Sequence, residues 1–428
     1  MMKLQRTTFE VSRAMEFFTE KELEMQIGHS REWWRVALLK ELVDNALDAC
    51  ETADTAPVVE IDTEPDGFSV RDNGPGLPAK TIAASLDYLK RASDKTFYVA
   101  PTRGQLGNAL KVVWAAPFVA NGEHGRVEVW TRGLHHIIDV RLDRIKQQPV
   151  IEHGREKGVV KTGNFVKVWM SDSSCLENAE SDDFYSPPTA RELVEGFTAF
   201  NPHASFRLGD MQFEATNPGW RKWKPSDPTS PHWYTAATLR DLIAAYIDRE
   251  RDGGRVRTVR EFVSEFRGLS STGKQQEVTA GLSRVHLRDL VSDGDIDMAA
   301  IAQLLSAMQR LSKAPKPAAL GIIGREHFTT WMIQHAGVNR ESVKYVLKPG
   351  DDGMPFVVEM AFGIRGDTDA RRVISGLNWS PALRVPIQEL GALMGEMRLD
   401  HQDPITIVIH VARPRFEFAD HGKTAVRL

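Results

Sequence analysis

Hydrophobic positions mark out several elements before any chemistry is considered. From Trp33 to Cys50 the run WWRVALLKELVDNALDAC contains neither glycine nor proline and repeats apolar residues at helical spacing, which predicts a long, largely buried helix. Two short β-rich runs follow, Val58–Asp62 and Phe68–Asp72, and Pro65-Asp66-Gly67 between them is a turn signal of the kind that joins antiparallel strands. Alternating branched and aromatic residues predict further strands at Arg126–Thr131, His136–Leu142 and Phe165–Met170. Helices followed by a mostly antiparallel sheet imply an α/β sandwich of α+β type.

The pattern then changes twice. Around Asn217–Trp233, proline, serine and tryptophan cluster without periodicity (PGWRKWKPSDPTSPHW), which reads as a boundary. From about Thr235 to Leu311 the apolar spacing of TLRDLIAAYI, TVREFVSEF and IAQLLSAMQRL is helical, with Gly-rich turns between. After APKPAAL, strand-like FVVEMAFG and ITIVIHVA flank a helix expected near Ile387–Met397. Three units are expected: 1–220 as an α/β sandwich, 221–315 as a helical domain and 316–428 as a smaller α/β domain. A chain of 428 residues has room for them, at about 100–200 residues per domain.

Composition narrows the classes. Apolar residues make up 42% and charged residues 26%, as in folded globular chains, which excludes disordered and collagenous classes. A formal net charge of −4 means that any polyanion must be met by a local basic patch. Cys50 and Cys175 are too few for a disulfide framework and suit a reducing, cytoplasmic setting. Neither a secretory leader nor an apolar run of about 18 residues is evident, so no membrane association is expected.

The chemistry concentrates on the long helix. At 100° per residue Glu41, Asp44, Asn45 and Asp48 share one stripe, with Leu39, Leu42, Val43, Ala46 and Cys50 opposite. Such a stripe is ordinarily a solvated face, but Trp33, Trp34 and Leu38 make these surroundings apolar, and carboxylates there are costly unless they bind a cation or act on water. Asn45 offers a hard neutral oxygen suited to Mg²⁺, and Glu41, one turn earlier, can take a proton from water. The DNGPG run, Asp72 to Gly76, is by itself only a turn signal; a strand-end carboxylate can nonetheless accept a hydrogen bond from an exocyclic amine, and glycines let a planar base approach closely. RGQLGNALK then places Gly104 and Gly107 before a predicted helix, whose free N–H groups and dipole favour phosphate.

In this order KELVDNALDAC, DNGPG and RGQLGNALK resemble the three nucleotide-binding motifs of the GHKL ATPases, and within them the topoisomerase VI B-subunit family most closely. FNPHASF, REFVSEFRGLSSTGKQQEVTAGL, NWSPAL and DHGKTAV extend the resemblance to that family's segment before its central domain, its helix-two-turns-helix insert, its transducer segment and its lysine-bearing loop. The resemblance implies a Bergerat-type ATP-binding domain with an N-terminal strap, a helix-two-turns-helix-like domain and a transducer-like domain. It implies ATP and Mg²⁺ as cofactors, Glu41 as general base, Asn45 as the Mg²⁺ ligand, Asp72 as adenine reader, and Gly74 and Gly76 as its backing. Arg103, Gly104, Gln105, Leu106, Gly107, Asn108 and Lys111 would form the phosphate cradle, and Lys423 would reach the γ-phosphate. A single ammonium on a separate domain would have differential affinity for ATP and ADP and so could bias a hinge.

Departures accompany the match. Asn164 follows Gly163 where the family carries threonine beside the adenine pocket, and Leu106 and Asn108 replace its usual glutamine and isoleucine. Five residues follow Lys423, so the resemblance implies a shortened transducer. Asp293, Asp295 and Asp297 form the one tight acidic run and read as a helix cap rather than a cleavage site, and His135-His136, pointing to opposite faces of a strand, are not expected to bind zinc. Arg249, Arg251, Arg255, Arg257 and Arg260, with Lys274, could neutralise DNA phosphates; a solvated charged face and a protein-docking role fit them as well. The function expected is an ATP-gated homodimer clamp on duplex DNA, closing through the Val11–Phe18 region and working with a separate cleavage-subunit-like partner. The alternative is a nucleotide-dependent interaction module or regulator, for example in a defence system, with little turnover.

Overall fold

The computed structural model describes residues 17–88, 97–103, 109–122, 124–145, 148–171, 186–282, 285–292, 294–366, 371–387, 402–418 and 426–427. The predicted long helix forms as α2 (Trp34–Thr52), preceded by α1 (Glu20–Ile27). β1 (Val58–Glu64) and β2 (Gly67–Asp72) pair antiparallel about the Pro65-Asp66 turn, in the register Glu64 to Gly67. Next come α3 (Ala79–Ser85), α4 (Ala109–Asn121), β3 (His124–Thr131), β4 (Leu134–Asp143), β5 (Gln148–Lys157), β6 (Asn164–Trp169), α5 (Ala190–Phe200), β7 (Ser205–Leu208) and β8 (Met211–Phe213). The eight strands make one sheet in the order β5-β4-β3-β6-β2-β1-β7-β8, antiparallel throughout except for the parallel β1–β7 pair. Helices α2, α4 and α5 lie against β2, β3 and β7 and bury their apolar faces in one core with Val59, Ile61, Phe68 and Val70. The expected α+β sandwich is therefore observed.

The helical segment comprises α6 (Ala236–Arg251), α7 (Val259–Ser264), α8 (Thr272–Thr279), the ribbon of β9 (Val291–Ser292) and β10 (Asp295–Ile296), and α9 (Met298–Leu311). Asp297 caps α9, its side chain accepting from the amides of Ala299 and Ala300. After α10 (Arg325–Ala336), strands β11 (Lys344–Asp351), β12 (Pro355–Ile364), β13 (Arg372–Leu377), β14 (Ser380–Pro381) and β15 (Ile405–Ala412) form a second sheet ordered β11-β12-β15-β13-β14. The helix expected near Ile387–Met397 falls on residues outside the described set beyond Ile387.

The aperiodic stretch after β8 is firmly packed. Trp220, Trp223 and Trp233 are buried in a core that also takes in α6, α7, α9, α10 and residues of the second sheet. The Trp220 indole donates to the Ile322 carbonyl at 2.6 Å, and Phe200, at the end of α5, joins the same core. Among the described residues no helix is long and apolar enough to cross a membrane.

Candidate functional site

The structure divides the stripe of α2. Glu41 and Asn45, four residues apart, stay half-buried, while Asp44, Asp48 and Glu51 on the adjoining line are buried. Those three acids meet cations. Asp44 Oδ2 accepts from Lys40 Nζ at 2.9 Å and from Ser380 Oγ of β14 at 2.7 Å. Arg103 donates to Glu51 in bidentate fashion at 2.8 and 2.9 Å and to Asp48 at 2.8 Å, and it also donates to the Asn201 side chain. Lys222 Nζ lies 2.7 Å from Glu51 Oε2, and His203 Nε2 lies 3.0 Å from Oε1. Burial alone would raise the Glu51 pKa, but Arg103 and Lys222 outweigh it and hold the carboxyl well below its ordinary range.

Arg103 is accordingly placed differently from its expected position in the phosphate cradle. Its side chain has no exposed surface and its donors are turned to carboxylates of α2, so it anchors the chain just before residue 104. Thr102 and Val99 are held as well. The Thr102 carbonyl accepts from the Asn378 side chain, the Val99 amide donates to Tyr234 Oη at 2.9 Å, and the Val99 carbonyl accepts from Thr229 Oγ1. Gly104, Gln105, Leu106, Gly107, Asn108 and Lys423 lie outside the described residues. Lys111, on the first turn of α4, donates from Nζ to the Asp87 carbonyl at 2.7 Å and sits over the Tyr88 ring.

The end of β2 forms the other wall. Asp72 is 8% exposed; its Oδ1 accepts from the Gly74 amide at 2.8 Å and its Oδ2 from Asn164 Nδ2 at 2.9 Å. Burial pushes its carboxyl above the ordinary range, and the two bonds draw it back. Asn164 faces Asp72 across the β2–β6 ladder and, through Oδ1, also accepts from the Leu77 amide at 2.7 Å. One side chain thus fixes both the carboxylate and the far end of the DNGPG turn. Gly163, at φ +73°, is required: a Cβ there would stand 1.9 Å from the Asp72 carbonyl oxygen. Gly76, at φ +79°, packs against Thr131 and Arg132, and Gly74 lies against Cys50 of α2. Asn73 Oδ1 accepts from the Val58 amide at 2.9 Å and lies 3.3 Å from Cys50 Sγ, so the turn abuts the C-terminal half of α2. Burial pushes the Cys50 thiol up to about 12, which keeps it neutral beside Asp72.

Glu41 and Asn45 therefore share one half-buried face of α2, and the Asp72 turn meets the same helix at Cys50. Among the described residues the Asn45 side chain makes no hydrogen bond, so its oxygen is available, one turn from a carboxylate, to a hard divalent cation. No group of three or more His, Cys, Asp or Glu suited to a metal ion occurs among the described residues. His135 is held between Glu128 and Glu156, and His136 pairs with His153 at 2.8 Å. Much of the basic stretch is engaged: Arg255 pairs with Glu261, Arg257 with Glu265 while lying over Tyr246, and Arg260 bonds Thr279. Sequence reasoning did not single out Glu51, Asn201, His203, Lys222 or Ser380, which come together only in the folded chain, and it recorded Asn164 only as a departure.

Comparison with known proteins follows the same outline. No family profile matches the chain. The B subunit of type 2 DNA topoisomerase 6 from Metallosphaera sedula is 22% identical, over 91% of this chain and 74% of the relative. The proteins of the same name from Archaeoglobus fulgidus and Thermococcus kodakarensis are 24% and 26% identical, over 79% and 60% of this chain and 55% and 44% of their own lengths. The similarity thus extends over most of the chain, which is divergent and topoisomerase 6 B-subunit-like.

Proposed function

We propose that the protein is a Mg²⁺-dependent ATPase with a Bergerat-type nucleotide site, acting as a topoisomerase VI B-like, ATP-gated homodimer clamp on duplex DNA. The observation that supports this reading is the contact of α2, the helix that carries Glu41 and Asn45, with the Asp72–Asn164 strand end through Cys50, Asn73 and Gly74. Asp72 accepts the exocyclic amine of adenine, and Asn164 and the Gly74 amide hold the carboxylate in the orientation that does so. Gly74 and Gly76 admit the base close to the backbone. Residues 104–108 and Lys111 meet the phosphates at the start of α4, and Arg103 fixes the root of that loop to α2. Glu41 removes a proton from the attacking water. Asn45 is the residue that would hold Mg²⁺, which would neutralise phosphate charge. Lys423 reads the γ-phosphate from the C-terminal unit, and a separate DNA-cleaving protein is the partner whose action the clamp would time.

Calorimetry with ATP, followed by steady-state hydrolysis with and without plasmid DNA, tests the reading. The parent chain binds and hydrolyses ATP, faster with DNA, whereas Glu41→Ala binds ATP but turns it over about 10²–10⁴-fold more slowly. Unchanged turnover in that variant refutes the assignment of the base. Binding without turnover in the parent favours the interaction-module alternative.

A further inference from the structure

Beside the ion-pair cluster a cleft of about 140 Å³ opens between the end of α2 and the tryptophan-rich stretch. His203, Trp220, Arg221, Lys222, Lys224 and Glu51 are among its lining residues. We propose that this cleft is a binding site for one small oxyanion of the phosphate class. Three observations carry the assignment, and none depends on the nucleotide reading.

The first is charge. Arg221, Lys222 and Lys224 bring three positive charges to the lining, against Glu51 and Asp54. Glu51 is shared by Arg103 and Lys222, and Asp54 pairs with Lys224, so the lining carries one positive charge in excess, that of the exposed Arg221.

The second is the state of Lys222. Its ammonium is buried, 4.3 Å over the Trp379 ring, and its 2.7 Å contact with Glu51 engages at most one of its three donors, which leaves donor capacity unused. Burial, with Arg103 repelling it, disfavours the charged form, and an anion in the cleft would restore it.

The third is His203, 8% exposed. Its Nε2 faces the ionised Glu51 and must carry the proton, so the buried, unpartnered Nδ1 presents a lone pair. A protonated phosphate supplies both things this pair of side chains lacks: acceptor oxygens for Lys222 and Arg221, and an O–H for Nδ1. Sulfate, fully ionised at neutral pH, supplies only the first.

Titration of the intact chain with inorganic phosphate at constant ionic strength, read by calorimetry, tests the site. The expected result is saturable uptake of one phosphate, weakened at least about tenfold by Arg221→Ala, which removes an exposed side chain and leaves the buried cluster in place. Lys222→Met should abolish uptake, and sulfate should bind about tenfold more weakly than phosphate. No saturable uptake by the parent up to about 10 mM phosphate overturns the proposal, as does uptake that Arg221→Ala leaves unchanged. Sulfate binding equal to phosphate overturns the role given to His203.

Discussion

The buried ion-pair cluster makes a quantitative prediction. Lys40, Arg103 and Lys222 face Asp44, Asp48 and Glu51, three cations against three anions, and Arg103 touches all three acids, at 3.8 Å in the case of Asp44. Arg103→Met keeps most of the side-chain volume and removes the charge. It leaves the acids in excess among buried side chains, and breaking a buried pair in this way costs about 3–5 kcal/mol. Urea unfolding followed by tryptophan fluorescence measures the loss, because Trp379 lies under Lys222 and Trp220 beside His203. Removing Glu51 as well should restore part of the loss, so the cycle Arg103→Met, Glu51→Gln and their combination should show a coupling energy of about 0.5–3 kcal/mol. A loss below about 1 kcal/mol for Arg103→Met, or strictly additive effects, would refute the view that these charges stand or fall together.

Three further outcomes follow from the same geometry. Asn164→Ala should weaken ATP binding about tenfold by calorimetry, since it frees both Asp72 and Leu77, whereas Asn164→Thr, which keeps a hydroxyl donor, should retain more of the affinity. The Glu51 pKa is depressed from its ordinary value of 4.5, so the stabilisation it gives is present above that pH and lost as pH falls below it; Glu51→Gln should make the acid limb of the stability profile shallower. Gly163→Ala forces a side chain into a left-handed backbone and against the Asp72 carbonyl. It should cost more than the about 1–3 kcal/mol of backbone strain alone and also weaken nucleotide uptake, with equal unfolding midpoints counting against the strain.

Much of the architecture was legible because its signals are local. The run without breakers gave α2 to within a residue at its start, and the Pro65-Asp66-Gly67 turn gave the β1–β2 pair. Strand β5 was not foreseen: His153, Gly154, Arg155 and Glu156 carry no apolar alternation, and the strand forms because β4 offers it a full ladder. Helical periodicity placed Glu41, Asp44, Asn45 and Asp48 together, but it could not say that two of them would turn inward. That depends on Arg103 and Ser380, which reach α2 from 55 to 336 positions along the chain from their partners. The work of Asn164 was hidden for a similar reason, because its two partners, Asp72 and Leu77, become neighbours only when β6 pairs with β2.

The turn between β13 and β14 has a mechanical implication. Asn378 and Trp379 hold φ of +47° and +65°, consecutive left-handed conformations that are rare for a bulky side chain such as tryptophan. They are kept there by the Asn201 side chain on the Trp379 carbonyl, by His410 on its amide and by Arg413 and Thr102 around Asn378. Asn tolerates this region, so the strain falls on Trp379, which stores about 1–3 kcal/mol, released once those contacts part. The distal sheet is thus fastened to the long helix by a cocked spring, and any rotation that withdraws Trp379 begins with part of its work already done.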